Sequence, residues 1–99
     1  MAELTGKQRR HLRALGHHLS PVLLIGHEGL TDAVVAQANA QLDAHELIKV
    51  KVSESSPLPR HEAAEQLASA THSELAQVLG RTFLLYKPHA DNPQITLPE

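Results

Sequence analysis

The run Val-Leu-Leu-Ile-Gly-His-Glu-Gly-Leu-Thr-Asp-Ala-Val at residues 22–34 constrains this chain more than any other stretch. Its first four residues, 22–25, are all apolar and predict a strand at an interior position in a sheet. Gly26-His27-Glu28-Gly29 then predicts a tight turn, because two glycines so spaced let the backbone bend sharply and leave room above it. Thr31 or Asp32 follows as the cap of a helix that reaches about residue 44. A helix opening here presents its first N–H groups beside the turn. Such a corner can hold a sugar-phosphate backbone close to main-chain donors, so nucleic acid is the first ligand class to consider.

The flanking segments supply the charge that such a ligand needs. Thr5 and Gln8 form a capping-box signature for a first helix over residues 5–18, with Leu12, Leu15 and Leu19, and Gln8 or His11 above them, as its apolar stripe. Arg9, Arg13 and His17 step by four along another face, flanked by Lys7 and Arg10. Residues 46–52 alternate cleanly, so Ile48, Val50 and Val52 point one way and Leu47, Lys49 and Lys51 the other. That pattern predicts one covered and one wet face. A third helix is expected over residues 60–71, burying Ala64, Leu67 and Ala68, after a Pro- and Ser-rich loop at 53–59. Strands at 75–79 and 82–87 flank Gly80-Arg81 as a hairpin, and residues 94–97 suggest a marginal edge strand. The expected fold is α/β, a two-layer arrangement of order α-β-α-β-α-β-β, with helices on one side of a mixed sheet and the other side open.

Several function classes are disfavoured. The 99 residues suffice for one small domain, residues 1–99, and contain no apolar run long enough to span a membrane. Without cysteine there is no disulfide or thiolate chemistry, and a cytoplasmic setting is the default expectation. The Gly26–Gly29 spacing matches neither a dinucleotide fingerprint nor a P-loop. The eight histidines include no His-Glu-x-x-His, so no metal and no cofactor are expected. Ser53, Ser55 and Ser56 near His61 lack the partners of a catalytic set, and no enzyme activity is expected. The net charge is −2, yet residues 1–30 carry net +2, so a basic surface sits on a mildly acidic domain. Aromatic residues are limited to Phe83 and Tyr86, at most one of them free to stack, so RNA would be held mainly through phosphates and shape. Arg9, Arg10 and Arg13 with Lys49 and Lys51 suit phosphate oxygens, whereas Glu28 would repel phosphate unless turned away.

Longer motifs carry a family resemblance. They are Leu4-Thr5 with Lys7-Gln8 and Leu12, Pro21-Val22 before Ile25-Gly26, and Gly29-Leu30-Thr31. His45-Glu46-Leu47-Ile48-Lys49-Val50-Lys51-Val52, and Gly80 with Leu84-Leu85-Tyr86 and Pro88, complete the set. Over nearly its whole length the chain resembles the YhbY-type bacterial proteins of the CRM domain family (chloroplast RNA splicing and ribosome maturation). The resemblance implies a fold similar to the C-terminal domain of translation initiation factor three, with a KH-like Gly-x-x-Gly loop. It assigns the loop role to Gly26, His27, Glu28 and Gly29, and the basic-surface role to Lys7, Arg10, Arg13, Lys49 and Lys51. Family loops more often hold small polar or basic residues where this chain has His27 and Glu28, and often arginine where it has Lys87. The implied function is non-catalytic binding of structured ribosomal RNA or of precursor large subunits, assisting ribosome assembly, by a monomer without membrane contact. The alternative is a protein-interaction domain that docks on a ribosomal particle mainly through protein contacts.

Overall fold

The computed structural model describes residues 3–99. The elements run α1 (Gly6–Gly16), β1 (Leu23–Ile25), α2 (Asp32–His45), β2 (Leu47–Val52), α3 (Arg60–Thr71), β3 (Glu74–Leu79) and β4 (Thr82–Tyr86). The sheet order is β1-β2-β4-β3, with β1 parallel to β2 and the other neighbours antiparallel. This is the expected α/β architecture of helices on a mixed sheet. Each local signal acts through an identifiable bond. Thr5 Oγ1 accepts from the Gln8 amide at 3.1 Å while Gln8 Oε1 accepts from the Thr5 amide at 3.0 Å, closing the capping box. Thr31 caps α2 by accepting from the Val34 amide at 3.1 Å.

Alternation along the strands divides the core in two. Leu23, Ile25, Ile48, Val50, Val52, Phe83 and Leu85 face α2 and α3. Ala63, Ala64 and Ala68 give α3 a surface of small side chains, which lets the helix approach this face closely, with Leu67 as its large anchor. The opposite face is not left open. Leu47, Leu84 and Tyr86, with Ala76 at a β3 bulge, pack against Leu12 of α1 and against Leu4, Ile95 and Leu97. A Cβ at Gly16 would collide with the buried Leu84 side chain, so glycine lets the end of α1 lie directly on the sheet.

The expected α1 stripe is corrected accordingly. Gln8, Leu12 and Gly16, not Leu12, Leu15 and Leu19, form the line toward the protein: Gln8 Nε2 donates to Pro98 O at 3.1 Å, and Leu12 is buried. Leu15 and Leu19 are exposed, and α1 ends at Gly16 with His17 as its C-cap. β1 is an edge strand, not an interior one. Its apolar run reads as interior only because Leu24 is apolar while pointing outward. Residues 94–97 form no strand; Ile95 and Leu97 serve as apolar plugs instead.

That C-terminal segment is fixed by Glu46, a fully buried residue at the corner between α2 and β2. Its carboxylate accepts from the amides of His89 (2.5 Å), Gln94 (2.7 Å) and Ile95 (2.8 Å). Its own carbonyl accepts from the Lys87 amide at 2.8 Å. Its φ of 59° is one that side-chain-bearing residues rarely adopt, and these bonds hold it there. Burial disfavours the charged form, but the three amide donors and then the His89 imidazole outweigh it and hold the carboxyl below the usual glutamate range. Tyr86 nearby shifts upward, through burial and then the Glu46 charge. Lys87 Nζ donates to Thr71 O at 3.0 Å, placing a cation at the C-terminal end of α3.

A group whose folded pKa is depressed contributes stability above its unfolded value, here near 4.5, and loses it as pH falls through the folded value. Glu46→Ala leaves three amides without their acceptor and should cost at least about 2 kcal/mol at neutral pH. Urea melts of both proteins should show that difference shrinking below pH 4.5. A variant as stable as the parent at neutral pH would remove the carboxylate from this role.

Candidate nucleic-acid interface

Gly26–Gly29 is a closed turn: the Gly29 amide donates to Gly26 O at 3.0 Å. The two glycines do different work. Gly29 has φ +70°, and a Cβ there would lie 3.2 Å from Pro57 Cγ. It therefore needs glycine for conformation and for its close approach to the 53–59 loop. Gly26 has an ordinary φ and nothing within 4 Å of an added Cβ, so its lack of a side chain leaves open space at the mouth of the turn. His27 and Glu28 project from the tip into solvent, with His27 Nε2 and Glu28 Oε1 3.9 Å apart. Glu28 thus points away from the body of the turn.

Three connections meet at this end of the sheet, where the parallel strands β1 and β2 both end. The Ser53 amide donates to Ile25 O at 2.9 Å and the Val52 amide to Arg81 O at 2.7 Å. The glycine turn, the 53–59 loop and the β3–β4 hairpin are thereby held side by side. Ser56 Oγ stiffens the loop by accepting from the Leu58 amide at 3.2 Å and donating to its carbonyl at 3.0 Å. A recess of about 410 Å³ opens between Leu24, Lys51, Ser53 and Arg81. A neighbouring one of about 510 Å³ reaches Arg60 and His61 at the start of α3. Open α/β sheets commonly bind ligands beyond the carboxyl ends of their parallel strands.

Lys49 and Lys51 lie on the face that α1 packs against, because they alternate with Ile48, Val50 and Val52. Lys51 is exposed and in register with Leu24, two residues before Gly26. Lys7, Arg10 and Arg13 are exposed on α1. The helix cations and the strand lysines therefore share one side of the sheet. Arg9 stands apart: its Nη1 donates to Leu75 O, which ties α1 to the β3 edge opposite β1. Its guanidinium is engaged in packing the helix.

Arg81 is the cation that sequence reading missed. It lies at the hairpin tip beside Lys51, and Nη2 meets Glu54 Oε1 at 2.8 Å. Both side chains are largely exposed, so this pair is weak and easily exchanged for another anion. The only signal was a cation at the tip of a two-residue turn. Among the described residues, no group of three or more His, Cys, Asp or Glu is placed to hold a metal ion.

Known proteins carry the same architecture. Residues 4–87 match the sequence model of the CRS1 / YhbY (CRM) domain. The chain is 42% identical over 95 residues to Probable RNA-binding protein YqeI of Bacillus subtilis, covering 96% of this chain and 99% of that one. It is 36% identical over 98 residues to a Haemophilus influenzae protein named RNA-binding protein, covering 99% and 98%. The solution structure of the hypothetical protein SAV1595 from Staphylococcus aureus superposes with a TM-score of 0.82 at 41% identity, covering 96% of this chain and 99% of that one. With a domain match across most of its length and relatives matched nearly end to end, the chain belongs to the CRS1 / YhbY (CRM) domain family.

Proposed function

We propose that this chain is a non-catalytic RNA-binding protein of the cytoplasm. Its ligand is structured RNA of the large ribosomal subunit or its precursors, and its role is to assist their assembly. The observation that carries RNA binding is the Gly26–Gly29 turn, braced by Pro57 and set beside Lys51 and Arg81 at the end of the parallel strands. Relatives named for RNA binding support the ligand class. The ribosomal role follows from the resemblance to YhbY-type proteins. RNA approaches from the side shared by α1 and the β2 lysines. Its phosphates meet the exposed Lys7, Arg10, Arg13 and Lys51 and the half-buried Lys49, and its backbone bends over the open position at Gly26. Phe83 and Tyr86 are both buried, which leaves no Phe or Tyr ring for stacking and throws the binding mainly onto charge and shape.

Affinity for a large-subunit ribosomal RNA hairpin should fall steeply with salt, because each neutralised phosphate releases counterions. Arg10→Ala with Arg13→Ala should weaken binding at low salt and flatten the slope of log affinity against log salt by about 1–2, with the melting temperature unchanged. Absence of RNA binding even at low salt would overturn the proposal. In a sucrose gradient of cell extract, the protein should travel with precursor large subunits. Its confinement to small-subunit fractions would contradict the ribosomal role.

The two glycines make a paired prediction. Gly29→Val forces a β-branched residue into positive φ and against Pro57, and should cost about 1–3 kcal/mol together with much of the RNA affinity. Gly26→Ala should melt like the parent, and any affinity loss it shows reports directly on backbone approach at the turn. Thermal melts and RNA titrations of both variants check this. Equal stability of the two would show that the bend does not depend on Gly29.

A further inference from the structure

A run of aliphatic side chains is left uncovered between the end of α1 and β1. Leu15 on α1 and Leu19 beyond it are 40% and 36% exposed, and Val22 just before β1 and Leu24 on its outward face are 43% and 56% exposed. Scattered exposed aliphatics are ordinary, but these adjoin one another. Leu15, Leu19 and Val22 line a single groove of about 470 Å³ with Leu47 and Ile95. Ile95 is set there by the Glu46 bond to its amide. The only ionisable groups lining the groove are Lys49 and His45; no carboxylate does.

We propose that this groove is a docking site for an extended segment of a protein partner, one in which aliphatic side chains alternate with acidic ones. Charge selects the sign, because a lysine and a histidine at an apolar groove without carboxylates favour acidic flanks. The sheet selects the conformation. β1 has a strand neighbour on one side only, so a segment laid along its free edge can extend the sheet. Every second side chain of that segment then falls on the face of Val22 and Leu24. Nucleobases fit this surface less well, since it offers mostly aliphatic groups and no Phe, Tyr or Trp ring. The groove adjoins the proposed RNA surface and shares Lys49 with it, while its apolar lining lies outside that surface.

The test uses the full chain and two fluorescein-labelled peptides, one alternating Leu with Asp and one alternating Leu with Lys. Leu19→Glu and Val22→Glu place a carboxylate in the groove at exposed positions, and Leu19→Ala trims it without charge; circular dichroism verifies that each variant is folded. The Leu/Asp peptide should bind the parent in preference to the Leu/Lys peptide. The two Glu variants should weaken that binding at least about tenfold, and Leu19→Ala less. Methyl resonances of Leu15, Leu19 and Val22 should shift on titration, while Leu19→Ala, which adds no charge beside Lys49, should change affinity for the ribosomal RNA hairpin less than about twofold. Equal binding of the two peptides, no binding of either, or indifference to the substitutions would overturn the proposal. Loss of RNA affinity in Leu19→Ala would assign the groove to RNA, and a dimer in sedimentation velocity that the Glu variants dissolve would assign it to a second copy; either result also overturns it.

Discussion

One buried carboxylate sets the layout of this protein. Glu46 leaves α2 with a positive φ and starts β2, and its side chain gathers three amides from a segment more than forty residues away. A carboxylate that accepts several backbone N–H bonds is stable in the interior only while all of them are made. Meeting that condition folds the C-terminal segment back over the sheet. Ile95 and Leu97 then fall against Leu12 and Tyr86, and Pro98 comes within reach of Gln8. α1 is clamped between this segment and the β3 edge, where Arg9 binds Leu75 O. The cations on α1 are thereby presented on the same side as Lys49 and Lys51.

The glycine turn is built from the other end of the sheet by different physics. Its shape depends on the positive φ of Gly29 and on the proline that closes in behind it. The loop that carries Pro57 is braced by its own serines and joined to β1 through the Ser53 amide. Such rigidity suits the proposed RNA contact, since a backbone held open in advance loses less freedom when a ligand settles on it. The outer face of β1 joins the two ends, running from the groove at Val22 to the recess at Leu24 and Lys51.

Local signals in the sequence were read well, and relations between distant segments were not. The Thr5–Gln8 box, the α3 boundaries and the β2 alternation each depend on residues a few positions apart, and all are present. The edge position of β1 was hidden because Leu24, though outward, is as apolar as its inward neighbours. Leu15 and Leu19 fit the helical period of a buried stripe, but α1 ends at Gly16, and both side chains line an open groove. Glu46 looked like the first residue of a strand, because its partners at 89–95 lie in a polar stretch without pattern. Arg9 looked like its exposed neighbours until β3 supplied a carbonyl for it. At the candidate site, the glycine turn and the lysines were legible, while Arg81 and Pro57 reach it only through the meeting of three loops.

The central claim is that RNA settles on the glycine turn and on the face shared by α1 and the β2 lysines. An amide-resolved NMR titration of the labelled protein with a large-subunit ribosomal RNA hairpin tests it most directly. The largest shifts are expected at Gly26–Gly29, Lys49, Lys51 and Arg81, with smaller ones at the exposed cations of α1. None is expected at the centres of α2 and α3, which pack on the opposite face. Shifts concentrated on α2 and α3 with the glycine turn unmoved would contradict it.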